Sequence, residues 1–378
     1  MLASNDECVQ LSFAYAGLLM ADLQGYFRPA IQAIDTPVAG PSTSRDRHAT
    51  LGRHNGSAGM GISTEERSDV SVVIPTFRRP EFLRRAVESV LAQRGVSESF
   101  EIIVVDNDGS ASARVVVDEL AADSARPIRY VNEPRPGISH ARNTGVTAAV
   151  GRSLAFLDDD EAASPDWLAS LLDTANRFSA DIVVGPVRPI FPAATAVSAY
   201  AREVYTRDAG LPSGSVIDWG GIGNALLRKD RCFRTATPFD PRLGLTGGED
   251  SVFLRQLIQD GRKLVWCADA AVTETVLADK LTPRYLLRRA FRAGQTTSFQ
   301  PSALAPPQWL AVIRWMAIGT TQAIVLGPLG LLLQMAGHPI SLPVLAKAAS
   351  GLGKLLWHPS LHIRNYRLAR SNGNAREG

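Results

Sequence analysis

The chain has 378 residues, of which 45% are hydrophobic and 20% charged, enough for one large domain or two smaller ones with real cores. Its net charge of +3 is unevenly distributed along the chain. Residues from Leu281 onward include eleven bases and one acid, and the residues before Leu281 include 29 bases and 36 acids. An acidic body with a basic tail indicates a negatively charged surface as partner, either membrane lipid or nucleic acid. The three cysteines are widely spaced, which excludes a disulfide framework and fits a reducing compartment.

Residues 1–68 are predicted to form a disordered leader. The stretch from about residue 40 to residue 69 is rich in Gly, Ser, Thr, Arg and His and poor in residues that build a core. The earlier apolar run "VQLSFAYAGLLM" is preceded by Asp6 and Glu7, where a signal peptide carries bases, so we predict no secretion signal.

Regular structure is predicted to begin at Val70. The β-branched run "VSVVI" indicates a buried strand, and "RRPEFLRRAVESVLAQRG" indicates a helix with Pro80 in its first turn. The pattern then alternates: strand "EIIVV", helix "ARVVVDELAADS", strand "IRYV", helix "GISHARNTGVTAAV", strand "SLAFL", helix "SPDWLASLLDTANRF" capped by Ser164, and strand "DIVVG". Alternation of this kind predicts a Rossmann-like α/β fold, with a mainly parallel sheet and helices on both faces.

Three polar clusters follow predicted strands, at the edge where ligands of open α/β sheets bind. They are Pro75-Thr76, Asp106-Asn107-Asp108 and Asp158 to Glu161. No G-x-G-x-x-G follows the first strand, and no G-x-x-x-x-G-K-[ST] occurs, which argues against a dinucleotide-binding or P-loop protein.

The run "LAFLDDDEAASPDWL" places Asp158, Asp159 and Asp160 directly after an apolar strand. Side chains two positions apart on an extended chain point the same way, so Asp158 and Asp160 are expected to face one site. Neighbouring carboxylates repel, and Mg²⁺ or Mn²⁺ completed by substrate phosphates would relieve that repulsion. The alternative is a solvated strand end with Asp at turn positions.

Five blocks in order resemble the family 2 glycosyltransferases, which have a GT-A fold. They are "VSVVIPTFRRPEFLRRAVESVLAQ", "FEIIVVDNDGS", "RPGISHARNTGV", "LAFLDDDEAASPDWL" and "LGLTGGEDSVFLRQLIQDG". The resemblance covers about three-fifths of the chain, and we expect the GT-A domain to extend over 69–293. It implies an enzyme that uses a nucleotide-sugar donor and a divalent cation, Mg²⁺ or Mn²⁺.

The resemblance also implies roles for residues at the nucleotide. Pro75 lies in the first of these blocks, and Thr76 and Asp106 match positions that hold the base. Asp160 matches the metal ligand. Asp158 matches the acid near the ribose, a role that Asp159 takes if the register of the triple Asp shifts by one. Arg135 and Arg142 match basic positions near the nucleotide, with a helix surface charge as the alternative for Arg142.

The resemblance further implies the groups on the acceptor side. Transfer to a hydroxyl needs a base, and the family places it in the acid pair, so we expect Asp250 as the base and Glu249 as the assisting acid. Acids in a first helical turn are also ordinary, because they suit the helix dipole. Gly223 and Asn224 match the family's acceptor segment. Many relatives carry a His near position 274, where this chain has Glu274, and this departure weakens any detailed metal geometry.

Residues 294–378 are predicted to form a basic, apolar helical tail that associates with a membrane. The stretch from Trp315 to Gly337 has no charge and is long enough to cross a bilayer core of about 30 Å. The bases Arg288, Arg289 and Arg292 before it are expected to neutralise a diphosphate or to face lipid head groups. One span, a hairpin, helices in the interface and a packed soluble subdomain all remain open. A nucleic-acid partner is not expected, because the bases are sparse among apolar residues.

These observations predict an inverting glycosyltransferase at the cytoplasmic face of a membrane. It would move a sugar from a nucleotide-sugar donor to a hydroxyl of a lipid-linked or cell-envelope glycan in polysaccharide biosynthesis. A sugar nucleotidyltransferase is the enzymatic alternative, although it usually needs a Gly-rich phosphate loop. A membrane-bound scaffold with a decayed site is the non-enzymatic alternative.

Overall fold

A central sheet with flanking helices makes up the body of the protein. The computed structural model describes residues 68–363, so the predicted leader, apart from Ser68, and the bases beyond residue 363 lie outside the described residues. The strands are β1 (Val70–Thr76), β2 (Phe100–Asp106), β3 (Ile128–Asn132), β4 (Ser153–Leu157), β5 (Glu161–Ala163), β6 (Ile182–Val184), β7 (Val187–Ile190), β8 (Asn224–Arg228), β9 (Leu264–Trp266) and β10 (Val272–Thr275).

Eleven α-helices connect these strands and complete the C-terminal part of the described chain. They are α1 (Pro80–Leu91), α2 (Arg114–Ala122), α3 (Ile138–Ala148), α4 (Trp167–Arg177), α5 (Ala199–Tyr205), α6 (Lys229–Cys232), α7 (Glu249–Gln259), α8 (Pro283–Ala303), α9 (Trp309–Thr321), α10 (Gly327–Met335) and α11 (Ser341–Leu355). A π-helical segment, Gln322–Leu326, joins α9 to α10, and short 3₁₀ turns occupy Pro241–Leu243, Ala278–Leu281 and Pro359–Leu361.

The large sheet has the strand order β3-β2-β1-β4-β8-β6-β9. Strands β1 to β4 pair in parallel, as do β6 and β9, whereas β8 is antiparallel to both of its neighbours. Helices α1, α2 and α4 cover one face, and α3 and α7 cover the other. The predicted Rossmann-like α/β fold, a mainly parallel sheet with helices on both faces, is confirmed.

Both faces of β1 are buried, because β-branched residues alternate between two cores. Val72 and Ile74 pack with Leu83 and Val87 of α1, while Val73 points to the opposite core. A strand buried on both sides needs a continuous apolar run, which is what "VSVVI" supplies. The same run therefore fixes the position of the polar residues that follow it at the sheet edge.

The start of α4 differs from the predicted cap at Ser164. The helix begins at Trp167, because Ser164 takes part in a turn instead. Its amide donates to the carbonyl of Ala271 at 3.0 Å, and its carbonyl accepts from the Gln93 side chain at 2.7 Å. Tertiary hydrogen bonds thus outweigh the local capping preference.

A second sheet, β5-β10-β7, lies outside the predicted pattern. Its strands have three or four residues, too few for periodicity to reveal them. Within it Glu161 pairs directly with Glu274. This sheet brings a second group of carboxylates beside the triple Asp.

The C-terminal part of the described chain is helical, as predicted. Helix α8 runs without interruption through position 293, so the predicted boundary between domain and tail falls inside a helix. The segment Trp309–Met335 forms one continuous helix of 27 residues, the one helix between residues 68 and 363 that is long and apolar enough to cross a membrane. Length and composition alone make this weak evidence for membrane association.

Candidate active site

A cavity of about 830 Å³ opens at the carboxyl ends of β1 and β4. The triple Asp after β4, the first turn of α7 and one side of α8 line it. Pro75 and Thr76, at the end of β1, also line it. The carboxyl ends of neighbouring parallel strands meet at this edge, which is why residues far apart in sequence converge here.

The three aspartates of the triple Asp reach the cavity through different partners. Asp158 accepts from Arg142 at 3.2 Å, and Asp159 accepts from the Thr76 hydroxyl at 2.8 Å. Asp160 accepts from Lys280 Nζ at 3.3 Å. The chain turns at this point, since the Glu161 amide donates to the Asp158 carbonyl at 3.1 Å, so the extended geometry assumed from sequence does not apply.

Arg79 connects two of these carboxylates and was not among the predicted site residues. One of its guanidinium nitrogens lies 3.3 Å from Asp159 and 3.2 Å from Asp160. Burial raises the pKa of Asp159 to about 6 despite the nearby Arg79. The two arginines after Thr76 were a usable signal, since cations placed next to a strand end meet the acids of the neighbouring strand.

Arg142 is a buried bridge between the two acidic motifs rather than a surface charge. Its guanidinium, 6% exposed, contacts Glu249 at 2.5 Å and Asp158 at 3.2 Å. Burial raises the pKa of Glu249 to about 7, with Arg142 acting in the opposite direction. The second carboxylate oxygen of Glu249 is buried without a hydrogen-bond partner. Arg142 thus holds the triple Asp and the acid pair in one site.

Asp250 lies beside Glu249 in the first turn of α7 and lines the cavity. One carboxylate oxygen accepts from the Ser251 amide at 2.7 Å. Gly247 and Gly248 precede the helix with φ of +86° and +94°, which side chains rarely adopt. The two glycines therefore allow the sharp entry that aims the acid pair at the cavity.

A further group of buried charges surrounds Arg207. Its guanidinium lies 3.0 Å from Glu161 and 3.2 Å from Glu274. Burial raises the pKa of both carboxyls, while Arg207 opposes the shift. Arg207 and Glu274 line the cavity, so Glu274 belongs to the site. No local pattern marks Arg207, because it lies far from any motif.

Helix α8 supplies two further cations to the cavity, Arg289 and Arg292. Within residues 68–363 neither forms an ion pair with a carboxylate; Arg289 lies over the Tyr205 ring. Burial lowers the pKa of Arg292, and its Nε is buried without a hydrogen-bond partner. Two cations without carboxylate partners suit an anionic ligand.

Several predicted site residues do not reach this cavity. Asp106 is fully buried and accepts from the amides of Asp108 and Ala113 and from Tyr130, because it stabilises the loop after β2. Arg135 binds Glu133 at 2.6 Å and lines a separate cavity of about 570 Å³.

The two predicted acceptor residues also lie behind the cavity wall. Asn224 is buried, donates to the carbonyls of Pro186 and Ala270, and accepts from Trp167 Nε1 at 2.7 Å, so its side chain links strands. Gly223 packs against the Asp158 carboxylate, where a Cβ atom would overlap it.

The part of the chain that the structure describes contains no group of three or more His, Cys, Asp or Glu side chains arranged to hold a metal. Asp160 faces the cavity but has Arg79 and Lys280 as partners. Its carboxylate fits a cation that also takes ligands from a bound phosphate, and does not belong to a complete protein cage.

Residues 71–211 match the family model for glycosyl transferase family 2. The chain is also 34% identical over 232 residues to the succinoglycan biosynthesis protein ExoM of Rhizobium meliloti strain 1021, a match that covers 61% of this chain and 74% of ExoM. The chain belongs to glycosyl transferase family 2. The resemblance found in the five sequence blocks is therefore confirmed.

Other matches are less similar to the glycosyltransferase. The minor teichoic acid biosynthesis protein GgaB of Bacillus subtilis strain 168 is 30% identical over 121 residues, which cover 32% of this chain and 13% of GgaB. The crystal structure of S. aureus TarS superimposes with a TM-score of 0.43 at 14% identity, covering 75% of this chain and 54% of TarS. Likeness at that level says nothing about the site of this chain.

Proposed function

We propose that this glycosyltransferase is an inverting enzyme that transfers one sugar from a nucleotide-sugar donor to a hydroxyl of a glycan acceptor. The observation that carries the proposal is the cavity itself, which is lined by an acid pair at a helix start, by the triple Asp and by Arg289 and Arg292. A diphosphate needs cations to stabilise its charge, and an attacking hydroxyl needs a carboxylate base. Both kinds of group line the same cavity.

In the proposed step the acceptor hydroxyl loses its proton to the Asp250 carboxylate. The acceptor oxygen forms a bond to the anomeric carbon while the bond from that carbon to the diphosphate oxygen breaks, on the opposite side. The leaving diphosphate keeps the electron pair of that bond. Arg289, Arg292 and Lys280 would face its negative charge. Arg142 would keep Glu249 and Asp158 in register.

We also propose Mg²⁺ or Mn²⁺ as the cofactor. Such ions are usually held by one or two carboxylates plus substrate phosphates, and Asp160 offers a carboxylate toward the cavity. Asp160 would hold the ion in competition with Lys280 and Arg79. When bound, the ion would supply positive charge to the leaving diphosphate.

The proposed acceptor is a lipid-linked or cell-envelope glycan, and the proposed location is the cytoplasmic face of a membrane. Two observations support this. The relatives ExoM and GgaB are named for succinoglycan and teichoic acid biosynthesis. The tail combines an apolar helix with an excess of basic residues.

A screen of nucleotide sugars would test the proposal, with release of nucleoside diphosphate as the readout. We expect one donor to be hydrolysed or transferred in a reaction stimulated by Mn²⁺ or Mg²⁺. Release that is unchanged by a chelator would refute the cofactor while keeping the transferase. No release with any donor, together with no nucleotide binding, would refute the donor class.

A further inference from the structure

The helix Trp309–Met335, here called the apolar helix, exposes large apolar side chains near its start and along its C-terminal half. Only 11% of its most hydrophobic window is buried. Six large side chains on it are each 57–85% exposed, two before and four after a stretch in which Arg314, Thr320 and Thr321 are also exposed: Leu310, Ile313, Ile324, Leu331, Leu332 and Met335. Soluble proteins rarely leave so many large apolar side chains of one helix open to water.

The opposite side of the apolar helix is fastened to α11. A Cβ atom at Gly319 would lie 2.7 Å from the Gly351 carbonyl oxygen, so the two backbones are in contact. Lys354, almost fully buried, donates from Nζ to Gln322 at 3.0 Å across the same interface. Further along, Gly330 lies against Leu345. The contact therefore extends along α11 and is fixed in register by a buried polar pair.

Helix α11 is in turn packed against α8. Cβ atoms at Gly294 and Gly353 would overlap the carbonyls of Ser350 and Phe291. Near its start Leu342 packs with Tyr205 and Leu286, and at its end the Leu356 carbonyl accepts from Gln295 at 2.8 Å. Both ends of α11 are thus packed against α8 and its neighbours, and α8 also lines the active-site cavity.

The packing of the apolar helix on α11, and of α11 on α8, indicates whether the apolar helix crosses a membrane or lies on its surface. The apolar helix is about 40 Å long at 1.5 Å per residue, whereas α11, at 15 residues, is about 22 Å and too short for a bilayer core of about 30 Å. If the apolar helix crossed the bilayer, α11 and the adjoining side of α8 would have to enter the hydrocarbon. The other side of α8 carries Arg289 and Arg292 into the polar cavity.

We infer that the apolar helix lies in the plane of the membrane interface, with its exposed face among the acyl chains and the catalytic body in water. This inference rests on the membrane location in the proposed function and specifies how the chain is attached there. The lipid partner is anionic, because eleven bases and one acid lie from Leu281 onward, and eight of these bases remain once Arg289 and Arg292 of the cavity and the buried Lys354 are set aside. One helix, α8, then separates the apolar helix and α11 from the cavity, a short path for an acceptor that keeps its lipid in the membrane.

Sided labelling tests the orientation. The full chain with Cys8→Ser receives one new cysteine, Gln308→Cys or Gln334→Cys, near opposite ends of the apolar helix; Cys232 and Cys267 are buried. In sealed inverted membrane vesicles an impermeant maleimide should label both variants from the outer, formerly cytoplasmic, side. Labelling of the two ends from opposite sides, or no labelling of Gln334→Cys from either side, would overturn the inference.

A matched pair of substitutions tests the face. Ile324 on the apolar helix and Val115 on α2 are 68% and 67% exposed. Ile324→Glu should weaken sedimentation with vesicles of phosphatidylcholine and phosphatidylglycerol at least about tenfold, and Val115→Glu should leave it unchanged. Equal binding by both variants would overturn the inference, as would a wild-type chain that ignores vesicles and dimerises through this face. Donor hydrolysis should persist in Ile324→Glu, so loss of membrane binding is distinguishable from failure of the proposed transferase.

Discussion

The active-site cavity and the apolar helix break the usual distribution of residues in opposite ways. The cavity gathers buried carboxylates, which are costly to desolvate, and the helix exposes large apolar side chains to water. In the cavity the acids Asp158, Asp160 and Glu274 each have a cation within 3.3 Å, whereas Leu310 and Met335 on the apolar helix are 84% and 85% exposed. The cavity is therefore suited to a charged ligand, which would replace some of these ion-pair partners. The apolar helix is suited to a partner that covers its exposed side chains.

Removing the proposed base in the cavity should have the largest effect on activity. Asp250→Asn keeps the shape and loses the proton acceptor, so turnover should fall by roughly 10²–10⁴ while donor affinity holds. Steady-state kinetics and nucleotide titration would measure both quantities. Glu249→Gln should reduce turnover less.

Asp260→Asn, at the other end of α7, serves as the control and should leave turnover unchanged. If Asp250→Asn keeps near-normal turnover while Glu249→Gln does not, the two roles are exchanged. If neither variant loses turnover, the pair is only a helix start, and Glu274 becomes the next candidate.

Removing the proposed metal ligand should have the next largest effect. Asp160→Ala deletes the carboxylate that Arg79 and Lys280 now bind, so Mn²⁺ should no longer strengthen binding of a nucleoside diphosphate. Calorimetry with and without Mn²⁺ measures this, and the melting temperature checks the fold. Asp166→Ala, an exposed acid at the start of α4, is the control. An unchanged Mn²⁺ effect in Asp160→Ala would refute the metal assignment.

The sequence revealed what short-range patterns encode and missed what the tertiary fold assembles. β-Branched runs and Pro80 located β1 and α1, and five ordered blocks located the acids. Arg79, Arg207 and the hydrogen bonds of Asn224 were not foreseen, because the side-chain partners come from residues at least 38 positions away. The orientation of the apolar helix was equally hidden, since length and hydropathy do not say what its other face touches.

The close contact between α8 and α11, which holds the apolar helix to the rest of the protein, can be tested through its glycines. Gly353→Ala would push a methyl group into the Phe291 carbonyl, so unfolding should become easier by about 1–3 kcal/mol. Gly327→Ala meets no atom within 4 Å and should be neutral or stabilising by up to about 1 kcal/mol. Denaturant titration in detergent compares the two. Equal stabilities would mean that α8 and α11 do not pack closely in solution.

The smallest expected effect is a pH dependence that comes from Glu249. Burial raises its pKa in the folded chain to about 7, above the usual value of 4.5. Between these two pH values the folded state holds a proton that the unfolded state has released, so this group makes stability decrease as pH rises from about 4.5 to about 7. Glu249→Gln cannot titrate, and its free energy of unfolding should therefore decrease less over that window than that of the wild type. Urea titrations at pH 5, 6 and 7 give the two slopes. Parallel slopes would mean that Arg142 keeps Glu249 ionised throughout, and the pair would then be a permanent ion bridge between the two acidic motifs.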